Sequence, residues 1–224
     1  MALKKCNVPP EASDASILSQ LGEHPNIVTF YGFSYDYPQT IIVMELATNG
    51  SLYDYLHKKK MKPSQEQSVK WAKQIAYGMA YLHRHDIVHR DLKSHNVLLS
   101  GDMEPLLCDF GLARTMQKTT KASSVGTYEW MAPEVAFGGD VNQKCDTYSY
   151  AMVLWELMEH KIPFGDVPNG LVAAVKAQGG ERPPIGSHWP KYLSKLVQEC
   201  WAPSPYDRPA FEVIIRAINT KAYS

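Results

Sequence analysis

Residues 87–100 read "IVHRDLKSHNVLLS". The flanking runs "IVH" and "VLL" are short, apolar and rich in β-branched or aliphatic residues, so they read as small strands. The polar residues between them sit in a loop held at both ends. A loop aspartate or asparagine commonly serves only its own turn. Here Asp91, Lys93 and Asn96 place a carboxylate, an ammonium and an amide close together, and the stretch fits the pattern H-R-D-L-x-x-x-N in full.

Two further motifs follow in order. "DFG" stands at 109–111, thirteen residues after Asn96, and "APE" stands at 132–134. Residues 114–130 between them are rich in Ser, Thr and Lys and carry no period, which is loop-like. One "DFG" arises easily by chance, but three ordered motifs with a loop between the last two form the protein-kinase signature set. The chain resembles a eukaryotic protein kinase over essentially its whole length. The resemblance implies an α+β, two-lobed fold with an incomplete small β lobe and a mostly helical large lobe. Residues 1–47 then form the small lobe from its third strand through helix C to the hinge, and 48–224 the large lobe.

Phosphoryl transfer needs positioning and charge neutralisation more than covalent chemistry. The motifs supply both. Asp91 accepts or orients the proton of the substrate hydroxyl. Asn96 and Asp109 are hard oxygen donors suited to Mg²⁺ against the phosphates. Lys93 lies beside the transferred phosphate and offsets its developing charge. By the same resemblance ATP is held by Lys4, Met44, Glu45, Ala47, Leu98 and Cys108. Lys4 ends "MALK", which matches V-A-I-K and contacts the α/β-phosphates. Met44 falls at the gatekeeper position, and Glu45 and Ala47 offer backbone carbonyl and N–H to adenine. Cys108 faces the nucleotide. Glu134 pairs with Arg208, Asp146 holds the backbone of the "HRD" turn, and Leu18, Phe30, His89 and Phe110 match the stacked regulatory spine.

The start of the chain departs from the family pattern. No glycine-rich loop precedes Lys4, so the resemblance implies a Lys4 strand left as a sheet edge. The helix glutamate that pairs with this lysine falls at Asp14, with Glu11 one turn earlier as the alternative. Two function classes follow: an ATP-dependent protein kinase, or a truncated and weakly active fragment that acts as a binding module.

The subgroup is mixed in character. Lys93 in "HRDLKSHN" and Thr127 in "VGTYEWMAPE" resemble serine/threonine kinases, whereas "CDTYSYAMVLWELMEHKIPF" and "CWAPSPYDRP" look tyrosine-kinase-like. With "GSLYDYL", a cysteine before "DFG" and "GERPPI", the chain is similar to the mixed-lineage MAP kinase kinase kinases. That implies a protein substrate with a Ser or Thr acceptor, such as a MAP kinase kinase. Thr119, Thr120, Ser123 and Ser124 are phosphorylation candidates whose phosphate could pair with Arg90.

Composition excludes other classes. Lys plus Arg equals Asp plus Glu at 23 each among 224 residues, so charge gives no reason to expect nucleic acid. The four cysteines form no C-x-x-C pair, which argues against zinc and disulfides and for a reduced, cytoplasmic setting. There is no apolar signal region at the N-terminus. The longest apolar stretch, "YAMVLWELM", is about half a membrane span and contains Glu156, so it reads as a buried helix and no span is expected. His83, His85 and His89 lack closed metal-ligand spacing, with His83 and His85 expected at a helix end and turn. The basic run His57–Lys62 reads as a solvated helix end.

Overall fold

The computed structural model describes residues 1–7, 15–37, 39–110 and 128–221, together with the backbone of 114–115. Within these, a small antiparallel sheet precedes a larger helical body, giving the α+β class. The sheet has strand order β1-β3-β2, formed by β1 (Ala2–Cys6), β2 (Phe30–Asp36) and β3 (Gln39–Met44). Burial alternates along β3, where Thr40, Ile42 and Met44 point inward. The register sets Lys4 opposite Ile42, which fixes the face on which the lysine stands.

The hairpin differs from the sequence reading in two places. "SYDYPQ" reads as a turn, yet Ser34, Tyr35 and Asp36 pair with Ile41, Thr40 and Gln39. Continued ladder hydrogen bonding outweighs the turn preference of Ser and Asp. Ile27 and Val28 read as strand, yet they leave the sheet. Both are buried and docked on β6 (Pro105–Leu107), with Val28 N–H donating to Leu107 O at 2.9 Å. Burial against the helical body decides their place.

A four-residue α1 (Ala15–Leu18) packs against β2. After β3 the chain turns through a short helical segment at Asp54–Lys58. The S-x-x-D pattern of Ser51 and Asp54 predicts a cap before it, and Asp54 N–H donates to Ser51 Oγ at 3.0 Å. The long α2 (Gln65–Arg84) is capped by Ser64, whose Oγ accepts from Gln67 N–H. It packs against α4 (Gln143–Glu159) and α7 (Phe211–Thr220), with α5 (Gly170–Gln178) and α6 (Lys191–Cys200) completing the body. A short α3 (Pro133–Ala136) begins within the "APE" motif. Every residue of α4 from Cys145 to Met158 is buried. That matches its nearly continuous apolar sequence and makes it the central helix.

The polar loop of residues 89–96 lies between β4 (Ile87–Val88) and β5 (Val97–Leu99). β5 pairs antiparallel with β6, and β4 pairs with β7 (Arg114–Thr115). Gly78 on α2 permits this layer to sit close. A Cβ there would meet Leu107 Cδ1 at 2.7 Å and Asn26 O at 2.9 Å. No helix among the described residues is long and apolar enough to cross a membrane.

Candidate active site

The loop between β4 and β5 is held from beneath by α4. Asp146 is fully buried, and its Oδ2 accepts from His89 N–H at 2.8 Å and from His83 Nε2 at 2.9 Å. Its Oδ1 accepts from Arg90 N–H at 2.8 Å. Arg90 adopts φ 69°, an unfavourable left-handed conformation for a residue with a side chain. The two backbone bonds to Asp146 hold it there. Burial alone would raise the Asp146 carboxyl pKa, but the His83 hydrogen bond and the neighbouring positive groups and amides lower it below its ordinary value. Sequence reading placed His83 only at a helix end; it is the side-chain donor that completes this anchor. Nothing in a lone histidine on the last turn of α2 signals that role.

A depressed carboxyl pKa contributes stability above about pH 4, lost as pH falls through the folded-state value. Asp146→Asn, which leaves one donor facing an amide NH₂, is expected to lose about 2 kcal/mol at neutral pH. Urea midpoints should show the gap to the parent chain narrowing as the solution is acidified below about pH 4. A gap that widens on acidification would contradict this account.

His89 is buried and fixes the loop from within. Its Nδ1 accepts from Asp91 N–H at 3.3 Å, so the ring proton sits on Nε2 and donates to Cys108 O at 3.2 Å. This ties the loop to the segment that follows β6. His89 also packs on Phe110 with ring centroids 5.3 Å apart. Leu18 is buried and Phe30 packs against the same core.

Asp91 stands at the end of this framework. Its Oδ2 receives Lys93 Nζ at 3.0 Å and Asn96 Nδ2 at 2.9 Å, and Asn96 Nδ2 also reaches Asp91 O at 2.8 Å. Commitment of Nδ2 to Asp91 leaves the amide oxygen of Asn96 as its donor atom for a hard cation. Asp109 follows β6 with φ 63°, another left-handed non-glycine position. Its Oδ1 pairs with Lys4 Nζ at 2.8 Å. Both side chains of that pair are partly exposed, so it positions the groups more than it stabilises the fold. Asn96 and Asp109 thus provide the oxygen chemistry that Mg²⁺ requires.

The remaining expected nucleotide contacts border the same region. Met44 ends β3 and is buried, and Leu98 lies on β5 opposite Leu106. The connector between them is anchored, since Asn49 N–H donates to Leu99 O and Leu99 N–H to Gly50 O. Glu45 N–H is committed to Thr29 O at 2.8 Å, which leaves its carbonyl as the group for the expected adenine contact. Ala47 lies two residues on in that connector, and Cys108 is buried directly before Asp109. The pairing of Lys4 with Asp14 or Glu11, the loop phosphorylation candidates, Thr127 and Gly111 lie outside the described residues.

A match to the family described as protein tyrosine and serine/threonine kinase covers residues 7–218. The chain belongs to this family. Among curated proteins it is 40% identical over 207 residues to a probable serine/threonine-protein kinase of Dictyostelium discoideum, covering 92% of this chain and 22% of that protein. It is 39% identical over 203 residues to mitogen-activated protein kinase kinase kinase 7 of Drosophila melanogaster, with 88% and 30% covered. Mitogen-activated protein kinase kinase kinase 12 of Rattus norvegicus is 39% identical over 195 residues, with 86% and 22% covered. The chain therefore spans 22–30% of the length of these relatives.

Two features of this kinase domain lie beyond the nucleotide and catalytic set. Glu134 and Arg208 form the expected ion pair, with Arg208 Nη1 at 2.6 Å from Oε1 and Nη2 at 2.9 Å from Oε2. A cavity of about 690 Å³ opens between the end of α4 and α5, lined in part by Trp155, Phe164, Arg182 and Pro184. None of the described candidate catalytic residues lines it. Among the described residues no group of three His, Cys, Asp or Glu side chains forms a transition-metal site.

Proposed function

We propose that the chain is the catalytic domain of an ATP-dependent protein serine/threonine kinase of the MAP kinase kinase kinase type, acting in cytoplasmic signalling. Residues 1–47 serve as its small lobe and 48–224 as its large lobe. The single observation that carries the reading is the arrangement of Asp91. Its carboxylate is held by Lys93 and Asn96, while Lys4 holds Asp109.

In this reading the substrate hydroxyl approaches Asp91, which takes or orients its proton. Lys93 stays beside Asp91 and offsets the negative charge that develops on the transferred phosphate. Lys4 draws the α/β-phosphates toward β1, and Met44, Glu45, Ala47, Leu98 and Cys108 bound the adenine site. Asn96 and Asp109 would hold Mg²⁺, which would supply neutralisation of phosphate charge. The protein substrate is a Ser/Thr acceptor, with MAP kinase kinases favoured by the names of the relatives above.

Incubating the chain with γ-labelled ATP, Mg²⁺ and a catalytically blocked MAP kinase kinase tests this. Label recovered on phosphoserine or phosphothreonine is the expected result. Nucleotide binding without transfer to any protein acceptor would instead make the chain a non-catalytic binding module. Label on tyrosine would overturn the acceptor assignment.

A further inference from the structure

The basic run His57–Lys62 predicts a solvated helix end. His57 turns inward instead. Its Nε2 lies 2.7 Å from Glu156 Oε1, on a carboxylate that is fully buried in α4. The same Oε1 accepts from Ser94 Oγ at 2.6 Å, and Oε2 accepts from Trp130 Nε1 at 2.8 Å. Three donors from three distant stretches therefore converge on one carboxylate: the helical turn 54–58, the catalytic loop, and the residues just before "APE".

Aromatic contacts reinforce the junction. Tyr53 stacks on His95 at 3.7 Å and leans on His57 at 4.8 Å, while His95 meets Trp130 edge-on at 5.7 Å. Ser94 and His95 lie between Lys93 and Asn96, the two groups that hold Asp91. They are gripped by neighbouring elements on more than one side. Burial holds the Glu156 carboxyl above its ordinary value, and the bonds from His57, Ser94 and Trp130 offset only part of that rise. A leucine or methionine would fill the same space with a smaller desolvation cost. It would not direct any of the three donors, and direction is what a hydrogen-bonded carboxylate adds.

We infer that Glu156, with His57 and Ser94, is a positioning device for the catalytic loop, joining it to the 54–58 turn and to Trp130. The inference rests on the kinase reading above for its catalytic consequence, but not for its structural one. Loss of one spoke lets Ser94 move, and Lys93 and Asn96 move with it. Misplacement of this kind lowers the chemical step while nucleotide binding through the 44–47 connector persists.

The test uses the 224-residue chain with Ser94→Ala, His57→Ala, His57→Gln and Glu156→Gln. Two quantities are read: kcat per ATP-binding site, with KM for ATP, and backbone amide exchange across residues 91–97. Ser94→Ala and His57→Ala are expected to lower kcat between about tenfold and a hundredfold. KM for ATP should stay within about twofold. Exchange of the Asn96 amide, which donates to Lys93 O at 2.9 Å, should accelerate in the same variants. The expected acceleration is about tenfold. His57→Gln should restore both readouts, since its Nε2 can occupy the place of the imidazole Nε2. A merely structural role predicts a lower melting temperature with kcat per site and exchange unchanged, and that result overturns the inference. So does a glutamine variant no better than alanine. Should Glu156→Gln fail to fold, the two alanine variants decide. Should the parent chain transfer no phosphate, the activity reading falls and amide exchange alone decides the positioning role.

Discussion

Asp91→Ala is expected to reduce phosphate transfer between about a hundredfold and ten-thousandfold, the range for loss of a positioned acid–base group. The parent carboxylate is held by Lys93 and Asn96 through a single oxygen, Oδ2. Removing it leaves the substrate hydroxyl without an acceptor and frees Lys93 from its anchor. It removes no contact to Lys4, Met44 or the connector, so ATP affinity should hold. Single-turnover transfer and equilibrium nucleotide binding, measured on the same preparation, separate the two effects. Asp91→Asn keeps the shape and a hydrogen-bonding oxygen but lacks the base, and should remain close to the alanine variant in rate. A rate near that of the parent chain for either variant would remove Asp91 from the chemistry.

Glu134→Ala should destabilise the domain by about 3–5 kcal/mol, the cost of leaving a buried charge without its partner. Arg208 is 1% exposed and meets Glu134 through two parallel bonds. Its other contacts include the carbonyls Ala202 O at 2.9 Å, Lys144 O at 3.1 Å and Pro203 O at 3.4 Å, and the ring of Tyr148 at 5.1 Å. These orient the guanidinium but carry no full negative charge. For a domain of this size the loss corresponds to a fall in Tm of roughly 10 °C. Calorimetry measures it directly. The pair Glu134→Leu with Arg208→Met should lose less than the sum of the single changes, because no buried charge then remains. A single-variant loss below about 1 kcal/mol would mean that the ion pair behaves as a surface bridge.

Much of the candidate catalytic set is legible because it is local in sequence. Asp91, Lys93 and Asn96 sit within one loop, and the chemistry of transfer requires those residue types together. The buried helix around residues 145–158 is equally legible, since a helix apolar on every side has no other stable place. The capping of α2 by Ser64 is local too, since Ser64 followed three residues on by Gln67 is a capping signal and Gln67 N–H makes the observed bond. The hairpin boundary was less so. Turn propensity at Ser34–Asp36 is a weak preference, and cross-strand bonding to Gln39–Ile41 overrides it.

The amino-acid order alone determined the motif set, its sequence along the chain, the central helix and the residue types available for phosphoryl transfer. Only the tertiary structure decided which distant side chains hold that set in place. His83 reaches Asp146 across 63 positions, and His57 reaches Glu156 across 99. Single histidines in polar surroundings give no sign of such partners. Their inward turn depends on buried carboxylates brought within reach by packing, where an unsatisfied charge costs far more than at the surface. The opening lysine is of the same kind: "MALK" supplies a candidate residue, and the register of β1 on β3 brings Lys4 within 2.8 Å of Asp109.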